Sequence, residues 1–368
     1  MTQNMIEAPL LDRRKSPSLR STSTASSGMD GPPEDRHGRP LHDLRISVID
    51  QCNFRCTYCM PRDQFGADHS FLRREELLTF DEIERVASAF ISLGVRKVRV
   101  SGGEPLLRKD VEHLIARLAA LRTPSGAPID LAMTTNGSLL ARKARGLAAA
   151  GLRRLNVSLD ALSPSIFARV ADTTASVDDV LAGIAAAQAA GIPHIKINMV
   201  VHRGVNDDQI LPMARRFRGT AHALRFIEFM DVGATNGWNA SAVLPSDEVL
   251  KRIHAVFPLT PLAPTVRGEV ARRWAYQDGQ GEIGLISSVS HPFCGDCSRA
   301  RLSADGKLYT CLFAEQGDDI RLQLRSESNP QMLINGLAER WRSRNDRYSE
   351  VRTSQPRQHK IEMSYIGG

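Results

Sequence analysis

Strand-like and helix-like segments alternate along residues 43–257, and this alternation limits the possible folds more than any other feature of the sequence. Each run rich in β-branched and aliphatic residues is followed by a segment whose apolar residues recur at helical spacing. The strand-like runs are 44–49, 96–101, 129–134, 155–159, 195–201 and 223–229, and the helix-like runs are 79–93, 111–121, 139–150, 177–190, 207–217 and 246–256. This pattern predicts an α/β fold with a parallel sheet, open or curled into a barrel, whose functional residues lie at the carboxyl ends of the strands.

The run at residues 79–93 carries the clearest helix signals. Thr79 and Glu82 form a capping-box pattern, in which each side chain accepts a hydrogen bond from the other residue's backbone N–H. The apolar face that follows consists of Ile83, Val86, Ala87, Phe90 and Ile91. Gly94 is a stop signal, so we predict an amphipathic helix that ends just before it.

Composition divides the chain into three parts. Residues 1–40 contain no Phe, Tyr or Trp and are rich in Ser, Pro, Arg and Gly, which predicts a disordered N-terminal tail. Residues 41–257 hold the alternating elements. Residues 258–368 form a smaller C-terminal extension with short strand-like pieces and a helix-like run at 329–343. The strand-like pieces are 273–276, 284–287, 301–302 and 307–311.

Charge and hydropathy exclude several classes of protein. The net charge of +7 is modest for 368 residues and forms no basic stripe, and aromatic residues make up only 5% of the chain, so we expect no nucleic-acid partner. No apolar run approaches the ~18 residues that cross a bilayer, and no signal-peptide core follows Met1. We therefore expect a cytoplasmic protein without a membrane partner.

The six cysteines fall into two groups of three. Cys52, Cys56 and Cys59 form a Cys-x3-Cys-x2-Cys loop directly after the first predicted strand. Three thiolates do not saturate a tetrahedral zinc ion, whereas on a four-iron cluster they leave one iron free to bind a substrate or cofactor. Zinc with a fourth ligand from elsewhere remains the alternative. Both interpretations also apply to the second group, which consists of Cys294, Cys297 and Cys311.

Cations occupy strand positions where a buried charge needs a partner. Lys97 and Arg99 stand two residues apart in the second strand and therefore share a face. Arg45 lies in the first strand, and Lys196 lies in the fifth. A triphosphate is a suitable partner, because arginine binds phosphate oxygens in a bidentate manner. The alternative is that each cation extends to solvent or pairs with a carboxylate.

The cysteine loop, with Tyr58 before its last cysteine, resembles that of the radical S-adenosylmethionine (radical SAM) superfamily. The superfamily's Gly-Gly-Glu-Pro motif is matched by Gly102-Gly103-Glu104-Pro105 after the second strand. From the residues alone, these glycines allow close backbone approach, and Glu104 can accept a hydrogen bond from an ammonium group. Asp160, by contrast, is interpreted as a turn residue after the fourth strand.

A closer resemblance covers nearly all of residues 41–368. The segments 44–48, 52–61, 134–137, 156–160 and 293–301, the spacing to Cys311 and the terminal Gly367-Gly368 resemble the GTP 3′,8-cyclase family of molybdenum cofactor biosynthesis. The resemblance implies a partial TIM-type (βα)6 barrel whose smaller C-terminal extension carries a second [4Fe–4S] cluster, with the terminal glycines entering the active site.

The resemblance also implies a set of site residues. Cys52, Cys56 and Cys59 would ligate the first [4Fe–4S] cluster, and Cys294, Cys297 and Cys311 the second. The implied SAM contacts are Tyr58, Gly103, Glu104, Ser158 and Met230. The implied GTP contacts are Arg45, Lys97, Arg99, Thr134, Lys196, Arg299, Ala300 and Arg301. Arg299 and Arg301 are implied to be catalytic together with the first three cysteines.

By this resemblance the chain would be a lyase that converts GTP to 3′,8-cyclo-7,8-dihydro-GTP. Its partners would be a reductant protein and a downstream cyclic pyranopterin monophosphate synthase, and it would form a homodimer. Two other functions remain open: a radical SAM enzyme that modifies a peptide, and a zinc-binding interaction module. The paired cations favour a phosphorylated substrate over a peptide.

Overall fold

The computed structural model describes residues 31–266, 268–326, 329–357 and 359–367. Its first half alternates strands and helices as the sequence predicts. The strands are β1 (Asp43–Ser47), β2 (Lys97–Ser101), β3 (Asp130–Thr135), β4 (Arg154–Ser158), β5 (His194–Val201) and β6 (Ala223–Glu228). The helices are α1 (Phe80–Ser92), α2 (Val111–Ala120), α3 (Leu140–Ala149), α4 (Pro164–Ala171), α5 (Val177–Ala189), α6 (Ile210–Phe217) and α7 (Ser246–His254).

The C-terminal half contains shorter elements. The strands are β7 (Leu259–Leu262), β8 (Arg272–Tyr276), β9 (Glu282–Ile286), β10 (Arg299–Leu302), β11 (Lys307–Tyr309) and β12 (Asp318–Asp319). The helices are α8 (Arg321–Ser326), α9 (Pro330–Ser343), α10 (Tyr348–Val351) and α11 (Met363–Ile366).

All strands of the described chain join one sheet, in the order β12-β11-β10-β1-β2-β3-β4-β5-β6-β9-β8-β7. The eight central strands, β10-β1-β2-β3-β4-β5-β6-β9, pair in parallel. At one edge β11 and β12, and at the other β8 and β7, are added by antiparallel pairing. The fold is thus α/β with a parallel-rich sheet, consistent with a partial TIM-type barrel. The predicted C-terminal extension forms no separate sheet, because its strands continue both sides of the first one.

The two faces of the sheet differ in chemistry because side chains alternate along each strand. One face is apolar and packs beneath the helices. Its fully buried residues include Leu44, Ile46, Val98, Val100, Met133, Val157 and Ile197. The other face carries most of the polar and charged strand residues that line the site described below.

Most local predictions are confirmed. Thr79 Oγ1 accepts from Glu82 N at 3.1 Å, and Glu82 Oε2 accepts from Thr79 N at 2.7 Å, which completes the predicted capping box of α1. The run 207–217 begins as a single 3-10 turn, Asp207–Gln209, and becomes α-helical only in α6. Helix α4 was not predicted. It is eight residues long and begins with Pro164 at its first position, which suits a helix start.

The predicted tail is wrong at its C-terminal end. Residues 32–40 pack against the C-terminal part of the chain, and Arg39 is 1% exposed. Arg39 Nε pairs with Asp35 at 2.7 Å, and Arg39 O accepts from Trp341 Nε1 at 3.0 Å. The prediction from composition failed because ion pairs and hydrogen bonds to the backbone hold this segment, and it needs no aromatic residue of its own. Residues 1–30 and Gly368 lie outside the described residues.

In the described part of the chain, no helix has both the length and the hydropathy to cross a membrane.

Candidate functional site

A cavity of about 1160 Å³ lies on the polar face of the sheet. Its wall includes side chains from all the parallel strands and from both cysteine groups. Of the residues predicted for the site, those that line the cavity are Cys52, Cys56, Cys59, Tyr58, Gly103, Ser158, Met230, Arg45, Lys97, Arg99, Thr134, Lys196, Arg299, Arg301, Cys294, Cys297 and Cys311. Residues far apart in the sequence therefore meet at one site.

Two predicted site residues do not line the cavity. Ala300 lies between Arg299 and Arg301 in β10, so the strand alternation turns its methyl group to the opposite, apolar face, where it is 1% exposed. Glu104 is fully buried beneath the cavity wall. Its carboxylate accepts from Thr135 Oγ1 at 2.7 Å and from Asn136 N at 2.7 Å. These hydrogen bonds connect Glu104, which follows β2, to the end of β3.

The first cysteine group lies in a loop fixed by its backbone. Arg55 N donates to Ala171 O at 2.9 Å, and Thr57 N donates to Val170 O at 3.0 Å. These two hydrogen bonds attach the loop to the C-terminal end of α4. Burial, followed by the charge of Glu104, raises the pKa of Cys52 to about 11. Burial also raises the pKa of the Cys56 and Cys59 thiols. Such thiols release their protons when a metal binds.

The turn after β2 packs directly on this loop. A Cβ at Gly103 would overlap the carbonyl of Gln51, and one at Gly102 would overlap the carbonyl of Ile49. Gly103 N also donates to Ile49 O at 2.8 Å. Both glycines are therefore required by contact between two loops, in addition to any role in approaching a ligand.

Asp160 is a residue of the site that sequence reasoning missed. It is buried, lines the cavity and accepts from Tyr58 Oη at 2.8 Å and from Val200 N at 2.8 Å. Burial raises its pKa to about 6, although both hydrogen bonds act in the opposite direction. Its position just after a parallel strand was the available signal, because that end of the sheet holds the functional residues.

The second cysteine group has a different electrostatic environment. Cys297 Sγ accepts from Arg344 Nη2 at 3.2 Å and from Arg299 Nη2 at 3.5 Å. Burial alone would raise the pKa of Cys297, but the two guanidinium groups lower it to about 6. Burial and the charge of Asp346 raise the pKa of Cys311 to about 12. One cysteine of this group is thus predisposed to the thiolate form that binds metal.

A row of arginines crosses three neighbouring strands. The strand register places Arg301 of β10 beside Arg45 of β1, and Arg45 beside Arg99 of β2. Burial and then repulsion from Arg99, Arg301 and Arg299 lower the pKa of Arg45. Burial and the charge of Arg299 lower the pKa of Arg301 to about 9. Buried like charges at this spacing favour a polyanionic ligand, which would offset their repulsion.

Further cations extend this row around the wall. Lys97 lies 3.8 Å and Arg154 lies 3.2 Å from the carboxylate of Asp130. Arg225 of β6 also lines the cavity, and burial with repulsion from Arg99 lowers its pKa to about 10. Sequence reasoning missed Arg154 and Arg225, although each occupies a strand position that shares a face with predicted site residues.

The C-terminal residues reach the same wall. Arg301 Nη1 donates to the carbonyl of Gly367, and Ile366 is fully buried. Gly367 has a φ of +72°, and a Cβ there would overlap Ser101 Oγ. A glycine is therefore needed for the chain to pass this point.

Within the described ranges, no group of three or more His, Cys, Asp or Glu side chains is arranged to hold a metal ion. The chemistry of the two cysteine groups therefore depends on their number, their burial and the wall they share.

Two family models match the chain. The model described as radical SAM superfamily matches residues 46–217. The model described as molybdenum cofactor synthesis C matches residues 222–350. Together the two matches extend from the end of β1 into α10.

Relatives named GTP 3′,8-cyclase are similar over most of the chain. The protein from Xanthomonas axonopodis pv. citri (strain 306) is 55% identical over 92% of this chain and 100% of its own length. The protein from Acidothermus cellulolyticus is 51% identical over 92% and 100%. The protein from Staphylococcus saprophyticus is 46% identical over 91% and 98%.

The solved structures that are similar share the fold. Streptococcus suis SuiB bound to S-adenosylmethionine has a TM-score of 0.58 at 14% identity, covering 86% of this chain and 69% of its own. SuiB bound to the precursor peptide SuiA has the same TM-score at 13% identity, with coverages of 86% and 68%. At this identity the likeness concerns the arrangement of the chain alone.

Proposed function

The chain belongs to the GTP 3′,8-cyclase family of the radical SAM superfamily, and we propose that it converts GTP to 3′,8-cyclo-7,8-dihydro-GTP in the first step of molybdenum cofactor biosynthesis. One observation carries the proposal. A single cavity is lined by two cysteine triads and by a row of buried cations, so a triphosphate bound there lies within reach of both triads.

The two triads fit [4Fe–4S] clusters. Each supplies three cysteines, so each cluster would keep one iron for a ligand other than the protein. In a cluster each thiolate ligates a different iron, so the cysteines need not converge on one point as the ligands of a single ion do. When bound, the first cluster supplies one electron for the reductive cleavage of S-adenosylmethionine, which starts the radical chemistry.

The residues proposed for S-adenosylmethionine share the cavity with the first triad. Tyr58, Gly103, Ser158 and Met230 line that cavity, and Asp160 accepts a hydrogen bond from the Tyr58 hydroxyl. Glu104 would act indirectly, by fixing the turn that presents Gly103.

The residues proposed for GTP line the same cavity. Arg45, Lys97, Arg99, Lys196, Arg299 and Arg301 would bind the triphosphate, with Arg154 and Arg225 beside them, and Thr134 offers a hydroxyl. Binding of the triphosphate would offset the repulsion among these cations, and this would contribute to the affinity for GTP. Arg299 also contacts Cys297, which would place the nucleotide next to the second cluster.

The partners follow from the reaction. A reductant protein would deliver the electron, and a downstream cyclic pyranopterin monophosphate synthase would consume the product. We extend the family's homodimer to this chain as part of the same proposal.

The test is 5′-deoxyadenosine formation by the reconstituted protein under anaerobic conditions, with dithionite and S-adenosylmethionine. GTP is expected to stimulate it strongly and to yield the cyclic nucleotide, detected by mass spectrometry. A Cys56→Ser variant should abolish both. Equal 5′-deoxyadenosine with and without GTP would contradict the assigned substrate and favour a peptide. Two zinc ions without sulfide would contradict the radical chemistry itself.

A further inference from the structure

A buried ionic network lies next to the second cysteine group. The side chains of Asp35, Arg39 and Arg344 are 0%, 2% and 2% exposed. Asp35 Oδ2 lies 2.7 Å from Arg39 Nε and 3.2 Å from Arg344 Nη1. The network joins the segment before β1 to the residue that follows α9.

The network contacts the cysteine loop at both of its first two cysteines. Arg344 Nη1 donates to Cys297 O at 2.6 Å, and Arg344 Nη2 donates to Cys297 Sγ at 3.2 Å. Arg39 Nη1 donates to Cys294 O at 2.8 Å. One guanidinium therefore holds the backbone of Cys297 and its sulfur at the same time.

The orientation of Arg344 is closely fixed. Its guanidinium lies 4.6 Å from the ring centroid of Trp341, a cation–π distance. Trp341 in turn donates to Arg39 O at 3.0 Å. Asp35 Oδ2 and Cys297 O both accept from Nη1 of the guanidinium, and Cys297 Sγ accepts from Nη2.

Charge supplies a second argument. Two buried guanidinium groups share Asp35, and Arg344 Nε is 3.6 Å from Asp346, which also faces Arg357 at 3.9 Å. Arg357 also has Glu315 at 3.9 Å, so the uneven pairing lies at Asp35, where one buried carboxylate faces two buried guanidinium groups. Removing such charges from water is costly unless an anion compensates, and a Cys297 thiolate is the anion in reach.

The first cysteine group differs at the sulfur of Cys52, because Arg55 Nη1 donates to the backbone carbonyl of Cys52 at 2.6 Å and not to its sulfur. Its sulfur accepts from Phe54 N at 3.4 Å and from Asn136 Nδ2 at 3.8 Å, both uncharged donors. A hydrogen bond to a ligating sulfur, and a positive charge beside it, stabilise the reduced form of an iron–sulfur cluster more than the oxidised form.

We propose that Arg344, held by Asp35 and Arg39, is a positioning residue that raises the reduction potential of the second cluster through its hydrogen bond to Cys297. This inference rests on the proposed second [4Fe–4S] cluster. It makes residues 32–40, which precede the first strand, a part of that metal centre. Arg344 acts on the cluster through a ligand and is not placed in contact with substrate.

The experiment isolates the second cluster in the full chain by changing Cys52, Cys56 and Cys59 to serine. In this background Arg344→Gln is compared with Arg347→Gln, a matched control at an arginine that is 53% exposed and pairs with Glu350. The midpoint potential is measured by EPR-monitored redox titration. We expect Arg344→Gln to shift it to more negative values and Arg347→Gln to leave it unchanged.

Two further variants separate tuning from folding. Arg344→Lys keeps the charge but cannot make the bidentate contact. Its midpoint potential should therefore lie between those of the parent and Arg344→Gln. Asp35→Glu keeps the negative charge but moves the carboxylate that holds Arg344, without touching a cysteine, and should shift the potential in the same direction, by less. If Arg344→Gln does not fold, Asp35→Glu decides the question.

The outcomes distinguish this inference from the proposed function. The triple-serine parent should contain about four irons and four sulfides per chain. If it contains them and the potentials of the Arg344 and Asp35 variants equal that of Arg347→Gln, the inference is wrong and the cluster stands. If the parent holds no iron–sulfur cluster, the proposed second cluster fails, and the inference fails with it.

Discussion

At the scale of single residues, the site is a set of side chains whose charged forms are made less favourable by burial. Burial and neighbouring cations lower the pKa of Arg45, Arg225 and Lys196. Burial raises the pKa of Asp160 and of the first three cysteines. A bound polyanion would favour the charged form of the cations, and a bound metal would favour the charged form of the thiols.

Lys196 should make GTP binding depend on pH. Burial and then repulsion from Arg225, Arg154 and Lys97 lower its pKa to about 7. Above that pH the free amine is neutral and must take up a proton when the triphosphate binds. The affinity for GTP should therefore fall by up to about tenfold per pH unit from about pH 7 to about pH 8.5.

Calorimetry at several pH values checks this slope. Lys196→Met should bind GTP more weakly and with a smaller pH dependence, and Lys109→Met, at an exposed lysine, should behave like the parent. An unchanged slope in Lys196→Met would show that another group titrates.

Arg225 should contribute to GTP affinity even though no sequence motif marked it. Charge-assisted hydrogen bonds are worth about 1.5–3 kcal/mol, so Arg225→Gln should raise the Kd for GTP by about ten- to a hundredfold. The Kd for S-adenosylmethionine should not change. Arg216→Gln, at an exposed arginine of α6, is the control, and equal affinities for GTP in the two variants would remove Arg225 from the site.

At the scale of elements, neighbouring strand ends position the first cysteine loop. Val48 N donates to Ser101 O at 2.9 Å, and Glu104 N donates to Gln51 O at 2.8 Å. The Glu104 carboxylate extends this connection to Thr135 and Asn136 after β3. The position of the cysteine loop therefore depends on the position of the turn after β2.

Gly102→Ala should disturb the first metal centre without disturbing the second. The new Cβ would overlap Ile49 O, so we expect a loss of unfolding free energy of more than about 2 kcal/mol and loss of iron from the first triad. Gly191→Ala is the matched control, because Gly191 also has a positive φ but has open space around it. Its cost should be about 1–2 kcal/mol.

Urea unfolding and iron analysis measure both effects. Equal destabilisation in the two variants, with full iron content, would mean that the loop can move away from the turn.

At the scale of the whole molecule, the C-terminal residues complete the sheet. β9 pairs with β6 and β10 pairs with β1, both in parallel, so each end of the six-strand unit is covered by the extension. Buried Glu228 at the end of β6 accepts from Val289 N at 2.8 Å and Ser290 N at 2.9 Å. The boundary expected near residue 258 is crossed by strand pairing and by a buried carboxylate.

The two parts should therefore unfold together. We expect one cooperative transition by circular dichroism and by tryptophan fluorescence. A fragment of residues 1–257 would expose the edges of β1 and β6 and should aggregate. Two separate transitions, or a stable fragment with the parent's far-ultraviolet spectrum, would contradict this expectation.

The confirmed predictions rest on patterns among residues that are close in sequence. The six strands, the capping box of α1 and the facing of Lys97 and Arg99 all depend on residues close in sequence, because backbone periodicity decides them. The spacing of the cysteines likewise determined that each group can offer only three thiolates to a cluster.

Only the tertiary structure decided which distant groups meet. The register of β10 against β1 places Arg301 beside Arg45, and the packing of residues 32–40 places Arg344 against Cys297. Other long-range contacts bond Glu104 to Thr135 and Asn136 and bring Asp160 to the cavity wall. Such contacts depend on the sum of many long-range packing energies, and no short stretch of sequence records that sum.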